Sequence, residues 1–200
     1  MKKVGYFLLV IAIGLSISGC APKAYVVTKN DSLLDMNDQK DIRELNVSLE
    51  TRMFRNGERM EGSDEALFPY VHNSLAQTKF INDVNESSRT LIVSVDNIAN
   101  IGGAVAKGLV TGLTLFIVGS SITDEFNITV ELHENNHSIH TTSYSNKIDS
   151  TIGLIVSAPT DEVEPIQINS AYQRILGDAI SKFIQEYLKS EEKKNHVETN

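Results

Sequence analysis

One pentapeptide of the chain has the residue types and spacing of a zinc site: His133-Glu134-Asn135-Asn136-His137. On a helix, two histidines four residues apart direct both imidazoles to one face, where they can bind a single Zn²⁺. The glutamate between them can then act as the general base for hydrolysis of a peptide bond. The sequence therefore raises the hypothesis of a zinc metalloprotease at residues 133–137, provided that these residues are helical.

The residues on both sides of this pentapeptide predict a β-hairpin instead of a helix. The stretch 126–132 alternates apolar and polar residues, which is the period of a strand with one buried face. Asn135-Asn136 suits a two-residue turn, because asparagine tolerates positive φ, and residues 137–144 return as the partner strand. The expected pairs are His133 with Ser138, Glu134 with His137, Leu132 with Ile139, and Glu131 with His140.

Three interpretations of these side chains are open. The first is the catalytic zinc site, and the second is an incidental metal site in which His140 and Glu131 join His133. The third, which the alternating context favours, is a solvated hairpin tip. No other combination of residues in the sequence forms a catalytic set. The sequence thus predicts a protein that is not an enzyme and has no cofactor.

The beginning of the chain has the composition of a secretory signal. Lys2 and Lys3 precede an uncharged apolar run, residues 4–15, which is too short to span a bilayer as a helix because a span needs about 20 residues. Small residues follow, and the run ends at Ile17-Ser18-Gly19-Cys20, which contains the only cysteine of the chain. Such a segment is removed during export and does not belong to the fold.

These four residues resemble the signal of bacterial lipoproteins: an aliphatic residue, two small residues and a cysteine. The resemblance implies that residues 1–19 are cleaved, that Cys20 carries a diacylglyceryl group, and that its new amine is acylated. Each buried methylene contributes roughly 0.8 kcal/mol to membrane binding, so several acyl chains anchor the protein firmly. By this resemblance, Ala21 after the cysteine implies the outer membrane, with a periplasm-facing anchor, and the inner membrane and the cell surface are open alternatives. The alternative is an ordinary signal peptide beside a structural cysteine.

The charge of the mature chain limits its partners. Removal of residues 1–19 takes away two lysines and no acid, so the formal net charge falls from −8 to −10. An acidic chain is unsuited to nucleic acid and to electrostatic docking on anionic lipids. The length fits one domain, which we expect at residues 41–189, joined to Cys20 by a tether, residues 20–40. Within these residues, the apolar patch around Tyr25 predicts either part of the tether or a short edge strand.

The first half of the domain alternates strands and a helix. Leu45, Val47 and Leu49 predict a strand with one buried face, and Asn56-Gly57 predicts a turn. Ser63 and the two acids after it predict a helix start. Pro69 is tolerated only in a first turn, so we expect the stable helix to begin near Phe68. A short edge strand at 80–84 and a strand at 90–95 are expected to follow.

Residues 98–122 are apolar and rich in glycine, with one charge and no acid. Ala104, Gly108 and Gly112 lie four residues apart, which is the small-residue spacing that lets helices approach closely in lipid. Three interpretations are open for this insertion. It is a membrane-inserting or oligomer-forming element, a buried hairpin or helix pair covering the sheet, or a conventional transmembrane helix. The threonines and glycines of the segment dilute its hydrophobicity and disfavour the last.

The remainder of the chain predicts a long loop, a helix and a tail. Residues 146–165 read as a loop that is long enough to be a contact surface. Residues 168–188 carry a wide apolar stripe and form the clearest helix. Residues 190–200 are charged, and we expect them to fray.

The order of these elements predicts a two-layer α+β domain, with two helices on one face of a mainly antiparallel sheet. It resembles the order in small periplasmic lipoproteins, namely penicillin-binding-protein activators and curli-secretion channel subunits. The first functional hypothesis is a non-enzymatic envelope lipoprotein that binds or positions another envelope protein. The second is an oligomeric membrane-inserting assembly, similar to a secretion-channel subunit, that uses residues 98–122. The third is the zinc metalloprotease.

Overall fold

The fold is built on a mixed sheet that carries two helices on one face. It is seen in a computed structural model, which describes residues 23–26, 44–78, 80–99, 120–152 and 165–198. The helices are α1 (Asp64–Thr78) and α2 (Ile168–Glu198). The strands are β1 (Lys23–Val26), β2 (Leu45–Arg55), β3 (Glu58–Arg59), β4 (Ile81–Asp83), β5 (Arg89–Ala99), β6 (Ser120–Glu134) and β7 (His137–Ile152).

The sheet is mainly antiparallel, as the sequence predicts. Its strand order is β1-β7-β6-β5-β2-β3, and β4 pairs with the other end of β2. The pairs β2–β5 and β2–β4 are parallel. The chain returns through α1 between these strands, which is the crossover that a parallel pair requires. The predicted two-layer α+β class is confirmed.

One continuous core lies between the sheet and the two helices. Alternate residues of β2, β5 and β6 point into it, and Val47, Leu91, Val93, Ile128 and Leu132 are fully buried. The helices contribute the apolar stripes that the sequence indicates, with side chains such as Val71, Leu75, Ile180 and Phe183. On the opposite face of the sheet, Ile92 is also buried.

Helix α1 starts at Asp64 and runs through Pro69, so the expected start near Phe68 is wrong. The first turn is tied to β2, because the Met53 amide donates to Asp64 Oδ1 at 2.8 Å and Thr51 Oγ1 donates to the Asp64 carbonyl at 2.9 Å. Pro69 has no N–H for the Glu65 carbonyl, but both residues are exposed and water can satisfy that oxygen.

The last strand and the last helix are longer than the sequence predicts. Strand β7 continues to Ile152, so residues 146–152 belong to the sheet and not to the expected loop. Apolar and polar residues do not alternate in this part of the strand, because the side chains that face the core include the polar Asn146 as well as Ile148. Helix α2 continues to Glu198, so most of the tail expected to fray is helical. An ion pair between Lys194 and Glu191 at 2.7 Å supports its added turns.

Candidate functional site

The pentapeptide at residues 133–137 forms the tip of the β6–β7 hairpin. Asn135 and Asn136 have φ of 49° and 66°, the positive values expected for the turn. The predicted pairs of His133 with Ser138 and Glu134 with His137 are confirmed. The helix that a zinc protease needs is not formed, so the metalloprotease hypothesis is wrong. The solvated hairpin tip is the interpretation that the geometry supports.

A β-bulge between Leu132 and His133 overturns the other two predicted pairs. Leu132 lies opposite His140 and Glu131 lies opposite Thr141, because Ile139 is the extra residue of the bulge. A slip of one residue moves every following side chain to the other face of the sheet. His140 therefore points to the helices, whereas Glu131 and His133 lie on the opposite face.

Glu131 and His133 form a contact of 2.9 Å between Oε2 and Nε2. The bulge keeps His140 away from this pair, so the proposed incidental metal site is not assembled. Among residues 44–78, 80–99, 120–152 and 165–198, no group of three or more histidine, cysteine or acidic side chains is placed to hold a metal ion.

The other residues singled out by the sequence lie outside the described residues. These are Cys20 and the small residues of the insertion: Ala104, Gly108 and Gly112. Their roles in lipidation and in membrane or oligomer contact remain predictions. In the part of the chain that is described, neither helix is long and apolar enough to cross a membrane.

The end of the sheet nearest to Cys20 is defined by its register. Lys23 pairs with Thr151 and Ser120 pairs with Ile152, so the starts of β1 and β6 lie beside the end of β7. The alternative of a short edge strand around Tyr25 is confirmed by β1. Ala99, the last residue of β5, lies at this same end of the sheet because it pairs with Asp124 of β6. We call this the anchor end of the sheet.

The helix-facing side of β7 carries a row of polar side chains that the sequence analysis missed. This polar row comprises His140, Thr142, Tyr144 and Asn146, and Thr142 and Asn146 are only 6% and 2% exposed. The bulge at Ile139 brings the row to the inner face, and no sequence pattern that we used indicates a bulge. The polar row thus separates an apolar core, on β5 and β6, from the edge of the sheet.

Helix α2 meets the polar row with charged side chains. Thr142 Oγ1 donates to Glu186 Oε2 at 2.9 Å, and Lys182 Nζ lies 4.4 Å from the centre of the Tyr144 ring. Burial, and then the nearby Glu186 carboxylate, raise the pKa of Tyr144 well above its usual range. Within the described residues, the Tyr144 hydroxyl and Asn146 Oδ1 have no hydrogen-bond partner.

His140 is held between aromatic rings of α2. Its ring centre lies 5.3 Å from that of Phe183 and 5.6 Å from that of Tyr187, both in edge-to-face geometry. Burial lowers the pKa of His140, and the Glu186 carboxylate opposes this shift without reversing it. The imidazole is therefore neutral at pH 7, and it acts as an aromatic packing group.

A cavity of about 220 Å³ lies between the first turns of both helices and the sheet. Met53 and Val95 of the sheet form its floor, and the buried Leu67 and Leu176 form walls. Its lining is mainly apolar. No sequence pattern indicated it, because its lining comes from separate segments that meet only in the folded chain.

Comparison with known proteins finds similar solved structures at low identity. A PelC dodecamer from Paraburkholderia phytofirmans has 11% identity and a TM-score of 0.36, with 82% of this chain and 96% of that chain covered. A DUF330 protein from Xanthomonas campestris has 12% identity and a TM-score of 0.34, with coverage of 76% and 88%.

A neuraminyllactose-binding hemagglutinin homologue from Helicobacter pylori has 13% identity and a TM-score of 0.32, with 85% of this chain and 96% of that chain covered. No family model matches the chain, and no curated protein matches it. Similarity at this level assigns no function, so the functional argument depends on the geometry described above.

Proposed function

We propose that this chain is a lipid-anchored envelope protein, held by acyl chains on Cys20, whose domain binds or positions another envelope protein. The observation that carries the proposal is the pairing of β1 with β7. Lys23 begins β1 three residues after Cys20, and three residues span at most about 11 Å. An acylated Cys20 would therefore hold the anchor end of the sheet close to the membrane surface.

A short connection of this kind suits a domain that presents one surface in a defined direction. The sheet face opposite the helices is rich in hydroxyl groups and charges on β6 and β7. Thr129 and Ser143 share a hydrogen bond of 3.1 Å across the two strands, and Ser145 donates to Glu125 at 2.8 Å. These exposed, preordered polar groups are the surface on which we place the partner protein.

Site-specific photo-crosslinking in living cells tests this placement. A photoreactive residue at Ser143 or Thr129 should give a discrete cross-linked protein, which mass spectrometry identifies and which a reciprocal cross-link from that protein confirms. Gln77 and Lys189, which are exposed on the two helices, are matched control positions. Equal products from the control positions, or none from the sheet face, would contradict the placement.

The anchor has its own test, which does not depend on the partner. Cells grown with labelled palmitate should label the wild-type protein, and Cys20→Ala should abolish the label and release the protein from the membrane pellet. The variant should also lose the Ser143 cross-link if anchoring is needed to reach the partner. Retention of Cys20→Ala in the pellet would remove lipidation from the proposal.

A second candidate function is a membrane-inserting oligomer that uses residues 98–122. The observation that favours it is the position of Ala99 and Ser120, because both ends of the segment lie at the anchor end of the sheet. Gly108→Leu and Gly112→Leu should then convert an oligomer in detergent to monomers on size-exclusion chromatography. Thr111→Leu, in the same segment but off the Ala104–Gly108–Gly112 spacing, is the control. A wild-type monomer would rule this candidate out.

A further inference from the structure

The cavity between the helices is a pocket with a buried bottom and a wide opening to solvent. Leu67, Val95 and Leu176 are 8%, 3% and 1% exposed, so core side chains form its bottom. Ala66 and Asn169 also line the cavity but are exposed, which places the mouth between the first turns of α1 and α2. A mainly apolar pocket with a buried bottom and an open mouth suits a ligand with an apolar part inside and a polar part in solvent.

The size and the lining of the cavity indicate an apolar ligand. A buried apolar cavity of about 150 Å³ stays dry and takes up benzene. The cavity here is larger, at about 220 Å³. Water needs two to four polar partners to be held in such a space, and the lining is mainly apolar, with few polar side chains such as Ser63 and Tyr172. Met53 and Met60 give the wall flexible side chains that can adapt to a chain of methylene groups.

A cation, Arg55, lies near the sheet side of the cavity without being part of its lining. Arg55 lies two residues beyond Met53 on the same strand, so its side chain is on the same face of the sheet as this floor residue. It is exposed, and its charge acts on Asp124 and on the phenol of Tyr172, which also lines the cavity. Asp124 is the carboxyl group on which Arg55 acts; burial raises the pKa of Asp124, and the charge of Arg55 opposes this rise.

We propose that this cavity binds the alkyl chain of a fatty acid, with the carboxylate at the mouth beside Arg55. The chain replaces empty apolar volume with methylene contacts, and the carboxylate stays at the solvent boundary next to a guanidinium. The proposal concerns the inner side of the sheet, and it holds whether or not the opposite face binds a protein partner.

Photolabelling of the mature full-length protein in isolated membranes tests the proposal. The probe is palmitic acid with a diazirine near its terminal carbon, added as the free acid. Cross-links should map by mass spectrometry to the peptides that contain Leu67 and Leu176. Ala66→Trp should close the mouth and lower labelling about tenfold or more, since each methylene kept out of an apolar site lowers affinity roughly fourfold.

Two controls separate occupancy from misfolding. Ala76→Trp, at an exposed position on the same helix, should leave labelling unchanged. Ala66→Leu, a milder plug, should give an intermediate loss while the melting temperature stays near that of the wild type. Labelling that Ala66→Trp does not reduce, or that spreads evenly over the surface, would overturn the proposal.

The carboxylate position is tested separately. Arg55→Glu should weaken labelling by the free acid about tenfold, whereas Arg55→Lys should retain most of it, and labelling by the methyl ester of the probe should not respond to either change. Equal responses of acid and ester would remove Arg55 from the site. If labelling appears only after residues 100–119 are deleted, the chain's own apolar residues occupy the cavity and the proposal is wrong.

Discussion

Leu132 of β6 lies opposite His140 of β7, and Ile139 is the extra residue of a β-bulge between them and the turn. This single relationship decides which side chains of β7 face the helices. Without the bulge, Ile139 would face the core and the polar row would face solvent. With it, Ile139 is 39% exposed and Thr142 and Asn146 are buried.

Substitutions at Ile139 and at Leu132 should therefore have very different effects on the free energy of unfolding. Ile139→Thr should change the free energy of unfolding by less than about 0.5 kcal/mol, because the side chain is at the surface. Leu132→Ala should cost about 2 to 5 kcal/mol, because it empties a fully buried position. Urea unfolding followed by circular dichroism measures both. A loss above 2 kcal/mol for Ile139→Thr would indicate the unbulged register.

Two substitutions in the polar row, each of which removes one hydroxyl group, should have different effects on the free energy of unfolding. Thr142→Val removes a hydrogen bond to Glu186 and should cost about 1 kcal/mol. Tyr144→Phe removes a hydroxyl that has no partner in the described residues, so it should be neutral or should stabilise by up to about 1 kcal/mol. The Lys182 contact with the ring is kept in the phenylalanine variant. Chemical denaturation of both variants provides the comparison, and a clear loss with Tyr144→Phe would show that the hydroxyl is bonded.

His140 predicts a dependence of stability on pH. Burial lowers its pKa in the folded state below the ordinary value of 6.5. The unfolded chain therefore binds a proton that the folded chain does not, and stability should fall as the pH drops below 6.5 towards the folded pKa. His140→Phe should remove this part of the pH dependence and keep the packing against Phe183. The control is His72→Phe, at an exposed position on α1. Melting temperatures between pH 5 and 8 test it, and an unchanged profile in His140→Phe would contradict it.

Asp64 predicts a second effect, at lower pH. Burial acts to raise its pKa, but the hydrogen bonds from Arg59 and from the Met53 amide outweigh burial and lower it. Because its pKa is lower in the folded state, the Asp64 carboxylate stabilises the fold at pH values above its ordinary pKa of 3.8. This contribution to the free energy of unfolding is lost as the pH falls through the folded pKa. Asp64→Ala should cost about 1 to 2 kcal/mol at neutral pH, because the Met53 amide of β2 and Arg59 lose the carboxylate that accepts their hydrogen bonds. Glu65→Ala, next to it and exposed, is the control. Similar losses for both variants would show that the effect is not specific to Asp64.

The general form of the fold follows from patterns that the sequence displays directly. Residues 45–49, 90–95 and 126–132 alternate with period two because one face of the sheet is covered, and residues 168–188 repeat with the helical period for the same reason. The Asn135-Asn136 turn is recognisable because few residues accept positive φ.

What sequence patterns missed depends on contacts between distant residues. The bulge at Ile139 has no signature in composition. The end of β7 does not show the alternating pattern of a strand, because its inner face carries Tyr144 and Asn146. The start of α1 depends on bonds from β2 that overcome the effect of Pro69. The cavity arises where two helix starts meet the sheet, so it is a property of packing and not of any one segment.

The pairing of β1 with β7 has a consequence for biogenesis. Among the described residues, the first strand pairs with the last strand, at the pairs Lys23–Thr151 and Val26–Ile148. Because a chain is synthesised from its amino terminus, β1 must wait until β7 has been made before it can pair. This contact between residues distant in the sequence raises the contact order of the sheet, so we expect the β1 edge to be completed late in folding.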